Sequence, residues 1–220
     1  MKYPFVIFDW DGTLVDSEAR IITSMQAAAD DYGWQPALTD EAVRNIIGLA
    51  LPEAIRHICP GIDEEGVEAI RHGYTHHFLE RSNLEMPLFE GVKEGLQRLK
   101  DAGCMLAVAT GKSRRGLDRV LPEVGLESLF AHTRCADETL SKPDPLMLHE
   151  LLDVTGFDVR QAVMVGDTEY DLGMAKNAGM DRIAVTYGAH HPDRLLGYKP
   201  VLVADRFAEL VDWLLEASVN

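Results

Sequence analysis

The chain has 220 residues, 46% hydrophobic and 26% charged, a balance that excludes a mainly disordered state and suits one globular domain or a domain with an insertion. Its 21 Lys and Arg against 36 Asp and Glu leave a net charge of −15, which repels nucleic-acid backbones and anionic membrane surfaces and argues against both as partners. The three cysteines, Cys59, Cys104 and Cys135, have no CxxC spacing and suit a reducing compartment, with each thiol packed as a small hydrophobe.

The apolar start from Tyr3 to Phe8 is cut off by Asp9, too early for the roughly 7 to 15 apolar residues of a signal-peptide core. No window approaches the roughly 18 uninterrupted apolar residues of a membrane span, so a cytoplasmic protein is expected. Pro4 to Phe8 reads as a buried strand ending on Asp9-Trp10-Asp11-Gly12. From about Ser17 to Leu84 no strand-like run occurs, and the pattern turns helical. Ile21, Met25, Ala28 and Ala29 form an apolar stripe that stops near Gly33. Pro52 is placed to start a helix, Pro60 and Gly61 to stop it, and Val67, Ile70, Tyr74 and Phe78 continue the helical spacing.

After this insertion the chain alternates. Short apolar runs at Met105 to Ala109, Ala162 to Val165 and Arg182 to Thr186 predict strands, with weaker candidates at Thr133 to Ala136 and Val201 to Val203. Between and after them, helices are expected near Val92 to Ala102, Ser113 to Val124, Pro145 to Val154, Tyr170 to Asn177 and Phe207 to Leu215. This rhythm predicts an α/β fold, a Rossmann-like doubly wound parallel sheet carrying a helical insertion.

In a parallel sheet every strand ends at the same edge, so polar residues just after successive strands converge. Here they are Asp9, Asp11, Gly12 and Thr13, then Thr110, Gly111 and Lys112, then Gly166, Asp167 and Asp171. Carboxylates gathered without histidine or cysteine call for a hard cation such as Mg2+, which takes one or two of them together with phosphate oxygens. A small-molecule phosphate ester is therefore the expected ligand. Gly12 and Gly111 would let backbone approach the anion, Thr13 and Thr110 would donate to it, and Lys142 in Ser141 to Pro145 would supply a cation.

The stretches DWDGTLVDS (9–17), AVATGKS (107–113), SKPDP (141–145) and VGDTEYD (165–171) resemble, in order and spacing, the four motifs of the haloacid dehalogenase superfamily. The chain is most similar to its phosphoglycolate phosphatase-like hydrolases, whose helical cap follows the first motif. The resemblance implies a core domain of residues 1–16 and 85–220 and a cap domain of residues 17–84. It implies that Asp9 attacks phosphorus to form an aspartyl-phosphate and that Asp11 protonates the leaving alcohol and then activates water. Lys142 would orient Asp9, and Thr110 would hold the phosphoryl group. Asp167 would bind Mg2+ with Asp9 and the main-chain carbonyl of Asp11, and Asp171 would act through water or through Lys142.

Several features are weighed against plainer roles. Gly111-Lys112-Ser113 imitates the end of a P-loop, but Leu106 stands where that motif needs glycine. His72 and His76 are expected on a solvated helix face, and His190 and His191 in an exposed loop. Trp10 should point away from the carboxylates by strand alternation. Arg20, Arg44 and Arg56 are candidates for a second anionic group of the substrate. The alternative to a phosphatase is a phosphomutase acting on a sugar phosphate, whose relatives carry basic residues in the cap loop; Ile46 to Ala54 is apolar apart from Glu53, which favours the phosphatase. Nothing in the sequence selects between monomer and homodimer.

Overall fold

The computed structural model describes residues 2–216. Six strands form one parallel sheet in the order β3-β2-β1-β4-β5-β6: β1 (Phe5–Phe8), β2 (Met105–Thr110), β3 (His132–Cys135), β4 (Ala162–Gly166), β5 (Asp181–Val185) and β6 (Leu202–Ala204). The two weaker strand candidates are thus the edge strands, each with a neighbour on one side only. Central β1 is buried throughout, and its alternation sorts the core into two layers. Val6 and Phe8 face a layer with α5 (Val92–Asp101), α6 (Arg114–Glu123) and α10 (Phe207–Glu216). Phe5 and Ile7 face α7 (Leu146–Thr155) and α8 (Glu169–Asn177). Trp10 is buried in the first layer with Phe8 and Leu14, away from the carboxylates.

The insertion is helical, as its periodicity predicts: α1 (Glu18–Tyr32), α2 (Asp40–Arg44), α3 (Leu51–Ile58) and α4 (Glu64–His76), the last continuing in a π turn over His77–Arg81. Gly33 at φ 85° ends α1 in the left-handed conformation, and Asp63 caps α4 by accepting from the Gly66 amide. The insertion has its own apolar cluster, including Ile21, Met25, Ile55, Val67 and Ile70. Its entry and exit strands run side by side, joined by Asp16 N to Pro87 O and Phe89 N to Leu14 O, 2.9 and 3.0 Å. A short α9 (Pro192–Leu196) follows β5. No helix among the described residues is long and apolar enough to cross a membrane.

Candidate active site

Three adjacent strands deliver the site. β2, β1 and β4 pair in register so that Phe8 stands beside Val108 and Val165, and the residues just beyond are Thr110, Asp9 and Asp167. Neighbouring strands lie about 4.8 Å apart, so side chains leaving them at the same edge must meet. Carboxylate oxygens of Asp9, Asp167 and Asp171 lie within 4.8 Å of one another, all buried.

Lys142 reaches into this cluster from the loop before α7 and is itself buried. Its Nζ donates to Asp9 Oδ1 at 2.5 Å and to Asp171 Oδ1 at 2.6 Å. The other oxygen of Asp171 accepts from the amide and hydroxyl of Thr168, 3.0 and 2.6 Å, in a capping box that starts α8. Both oxygens of Asp171 are therefore engaged, and the carboxylate holds Lys142 in place. Asp167 is held as firmly: Thr13 Oγ1 donates to Oδ1 at 2.8 Å and the Ala189 amide to Oδ2 at 2.7 Å.

The glycine and threonine expectations change in one respect. Thr13 donates its hydroxyl proton to the Asp167 carboxylate. At Gly12, with φ 82°, a Cβ would stand 2.2 Å from Asp167 Oδ2; at Gly111 it would stand 2.6 Å from the carbonyl oxygen of Gly48. What these glycines admit is a carboxylate and the backbone of the helical insertion. Thr110 Oγ1 accepts from the Lys112 amide at 3.1 Å, which leaves its own proton to offer to a bound oxygen.

Asp9 Oδ2 is buried and accepts no hydrogen bond. A buried carboxylate oxygen without a donor is costly, and one ammonium faces three carboxylates. Burial accordingly pushes Asp9 well above the usual carboxylate range; Lys142 opposes the shift, while Asp171 and Asp167 add to it. Burial and the Asp171 charge push Asp167 up to about 7. Burial works against the Lys142 ammonium, yet Asp171 and Asp9 outweigh it and raise that group above the usual lysine range. An all-oxygen set with one orphaned atom and unbalanced negative charge fits a hard divalent cation. Asp9, Asp167 and Asp171 are the carboxylates grouped closely enough to hold it.

Asp11 stands further out. Its Oδ1 accepts from Ser17 Oγ at 2.5 Å and meets Lys112 Nζ at 3.0 Å. Lys112 is thus a part of the site, its ammonium also lying 4.6 Å from the centre of the Phe78 ring of the insertion. Asp11, Gly111 and Lys112 line one end of a cavity of about 390 Å³ between sheet edge and insertion. Ser17 lies in the first motif, but its contact with Asp11 depends on the turn at residues 10–15 and is invisible in linear spacing. The three candidate arginines turn elsewhere: Arg20 donates to the carbonyls of Phe78 and Leu84, Arg44 pairs with Glu18 and Arg56 with Glu64. None lines this cavity. His72 and His76 lie on an exposed helix face, near Glu68 and Glu80.

One histidine departs from expectation. His191 is exposed, but His190 is buried, because the loop after β5 folds back onto the start of α8. Its Nδ1 accepts from the Glu169 amide at 3.2 Å, and its Nε2 faces the Asn45 carbonyl of the insertion at 3.3 Å. Burial, reinforced by Arg194, lowers its pKa, against weaker opposition from the Asn45 carbonyl, Glu169 and Asp171. A lowered histidine pKa favours folding above the unfolded value of about 6.5, and that contribution disappears as pH falls through the folded value. His190→Gln can keep both hydrogen bonds without titrating. Urea midpoints should therefore show wild type losing stability relative to His190→Gln between pH 7.5 and pH 5; parallel pH profiles would refute the buried neutral imidazole.

The comparisons with known proteins agree with this architecture. A protein of Dickeya dadantii described as "Probable phosphatase IndB" is 39% identical over 212 residues, covering 94% of this chain and 92% of its own. The phosphoglycolate phosphatase of Agrobacterium fabrum is 31% identical over 222 residues, covering 99% of this chain and 94% of its own. The crystal structure of a predicted phosphatase from Clostridium acetobutylicum superposes with a TM-score of 0.87 at 26% identity, covering 98% of this chain and 100% of the other. The family model for haloacid dehalogenase-like hydrolases matches residues 6–185, and the chain belongs to that family.

Proposed function

We propose that the protein is a magnesium-dependent phosphatase that hydrolyses a small phosphomonoester through an aspartyl-phosphate on Asp9. The observation that carries this reading is the unpartnered Oδ2 of Asp9, buried beside Lys142 and Asp167 at the edge where the cavity begins. Relatives named phosphoglycolate phosphatase support the reaction class.

In this reading a carboxylate oxygen of Asp9 attacks phosphorus as the bond to the alcohol oxygen breaks, and Asp11 gives that alcohol oxygen a proton. Asp11 then takes a proton from the water that attacks the aspartyl-phosphate, which releases inorganic phosphate and frees Asp9. Lys142 keeps Asp9 oriented, with Asp171 anchoring Lys142, and Thr110 donates to a phosphoryl oxygen. Asp9, Asp167 and the Asp11 carbonyl would hold the magnesium ion, which when bound supplies positive charge to the phosphoryl oxygens. Residues 17–84 serve as a cap domain over a core of residues 1–16 and 85–220; Gly48 packing on Gly111 and the Ala50 amide donating to Ser141 Oγ at 2.9 Å support that role. A phosphomutase would need groups to hold a sugar phosphate as it turns, and the Ile46 to Ala54 wall has Glu53 as its one charged residue.

Phosphate release from simple esters tests the proposal. Activity should require Mg2+, vanish with excess chelator and be inhibited by Ca2+, whose 6 to 8 ligands in flexible geometry loosen the in-line arrangement that near-octahedral Mg2+ enforces. Full activity in chelator would overturn the metal assignment, and no release from any ester would overturn the reaction.

A further inference from the structure

The cavity beyond Asp11 is suited to an alcohol unlike glycolate. Its volume of about 390 Å³ falls within the range of about 300 to 1,000 Å³ that encloses drug-sized ligands, whereas glycolate contributes one methylene and a carboxylate. Ile21, Met25, Ile47, Leu49, Tyr74 and Phe78 make most of the wall apolar. Lys112 and Arg71 are the cations among the lining residues, and both are engaged. Lys112 Nζ is 3.0 Å from Asp11, and Arg71 grips Glu68 through Nε and Nη2, the shorter contact being 2.6 Å. Glu53 and Asp137 also line the cavity and add negative charge. A substrate carboxylate there would lie against hydrocarbon with no unpaired cation and with two acidic neighbours, a desolvation cost with nothing to offset it.

We infer that the ester this cavity selects carries a neutral, bulky and mainly apolar alcohol, with its phosphoryl group at Asp9 and its hydrocarbon body against the Ile21, Ile47 and Leu49 wall. This rests on the phosphatase reading of the same site. Asp11 joins the two regions, since it lines the cavity and lies two residues from Asp9 on the loop after β1, while Asp9, Asp167 and Lys142 are buried. The bridging oxygen of such an ester would fall beside Asp11, where the alcohol must receive its proton.

The test uses phosphates of three primary alcohols, so that bond-breaking chemistry is similar: ethyl phosphate, phosphoglycolate and 2-phenylethyl phosphate. A single methylene in an apolar pocket is worth roughly 10- to 200-fold in kcat/KM, so 2-phenylethyl phosphate should exceed ethyl phosphate by about 30-fold or more and phosphoglycolate by at least as much. Phosphoglycolate turning over as well as 2-phenylethyl phosphate would overturn the inference while leaving the phosphatase reading intact. Calorimetric binding of the same esters to the Asp9→Asn protein with Mg2+ should follow the same order. That order decides the inference even if wild type hydrolyses none of them, a result that would count against the reaction alone. Leu49→Lys, or Leu79→Lys at a second lining position, places a cation in the wall and should shift the kcat/KM ratio at least tenfold toward phosphoglycolate. An unchanged ratio in either folded variant would also overturn the inference.

Discussion

Asp9→Asn should reduce kcat by about 10⁴-fold or more, the scale on which removal of a nucleophile acts, without unfolding the protein. The amide keeps the shape of the carboxylate and can still accept from Lys142, but it has no charge with which to attack phosphorus. Stability in chelator should stay level or rise. Asp9 is fully buried, and burial, reinforced by Asp171 and Asp167 against the pull of Lys142, pushes its carboxyl well above the usual range, so a neutral group of equal size sheds a desolvation cost. Phosphate release and thermal denaturation with and without Mg2+ check both halves of the expectation. Turnover within about tenfold of wild type would rule out covalent catalysis by Asp9.

Lys142→Met should be the most destabilising single change in the site. The ammonium is buried and shared between Asp9 and Asp171 at 2.5 and 2.6 Å; its removal leaves two carboxylates facing each other without a counter-charge. Breaking one side of a buried ion pair costs about 3 to 5 kcal/mol. Activity should fall to background as well, because Asp9 loses the group that orients it. Adding Asp171→Asn to Lys142→Met should recover part of the stability and none of the activity, since it removes one orphaned charge but restores no cation to Asp9. Denaturant midpoints of the two variants decide this; a loss below about 1 kcal/mol for Lys142→Met would mean that the cluster is not charged as described. The wild-type contribution should hold at neutral pH and disappear in strong alkali. A lysine whose folded pKa is raised stabilises below its unfolded value of about 10.4 and ceases to do so as pH climbs through the folded one.

The amino-acid sequence by itself determined the elements and the edge at which they meet. Val6, Phe8, Val108 and Val165 are strand residues because short apolar runs bounded by polar turns can be satisfied only in a sheet buried on both faces. Parallel strands must then bring Asp9, Thr110 and Asp167 to one edge, whatever lies between them. The helical periodicity of Ile21, Met25 and Ala28 placed the insertion in the same way.

Only the tertiary structure decided which partner each side chain takes at that edge. Thr13 turns to Asp167, Asp171 divides its oxygens between Lys142 and the α8 cap, Lys112 bridges Asp11 and Phe78, and Arg20, Arg44 and Arg56 take partners of their own and stay outside the cavity lining. His190 is buried because the loop after β5 meets both α8 and Asn45 of the insertion. The physical reason is one of range. Periodicity and turn residues act over a few positions and specify the backbone locally, whereas a long polar side chain pairs with whichever charge the packing brings within hydrogen-bond reach, and here those charges come from loops separated by up to 154 residues.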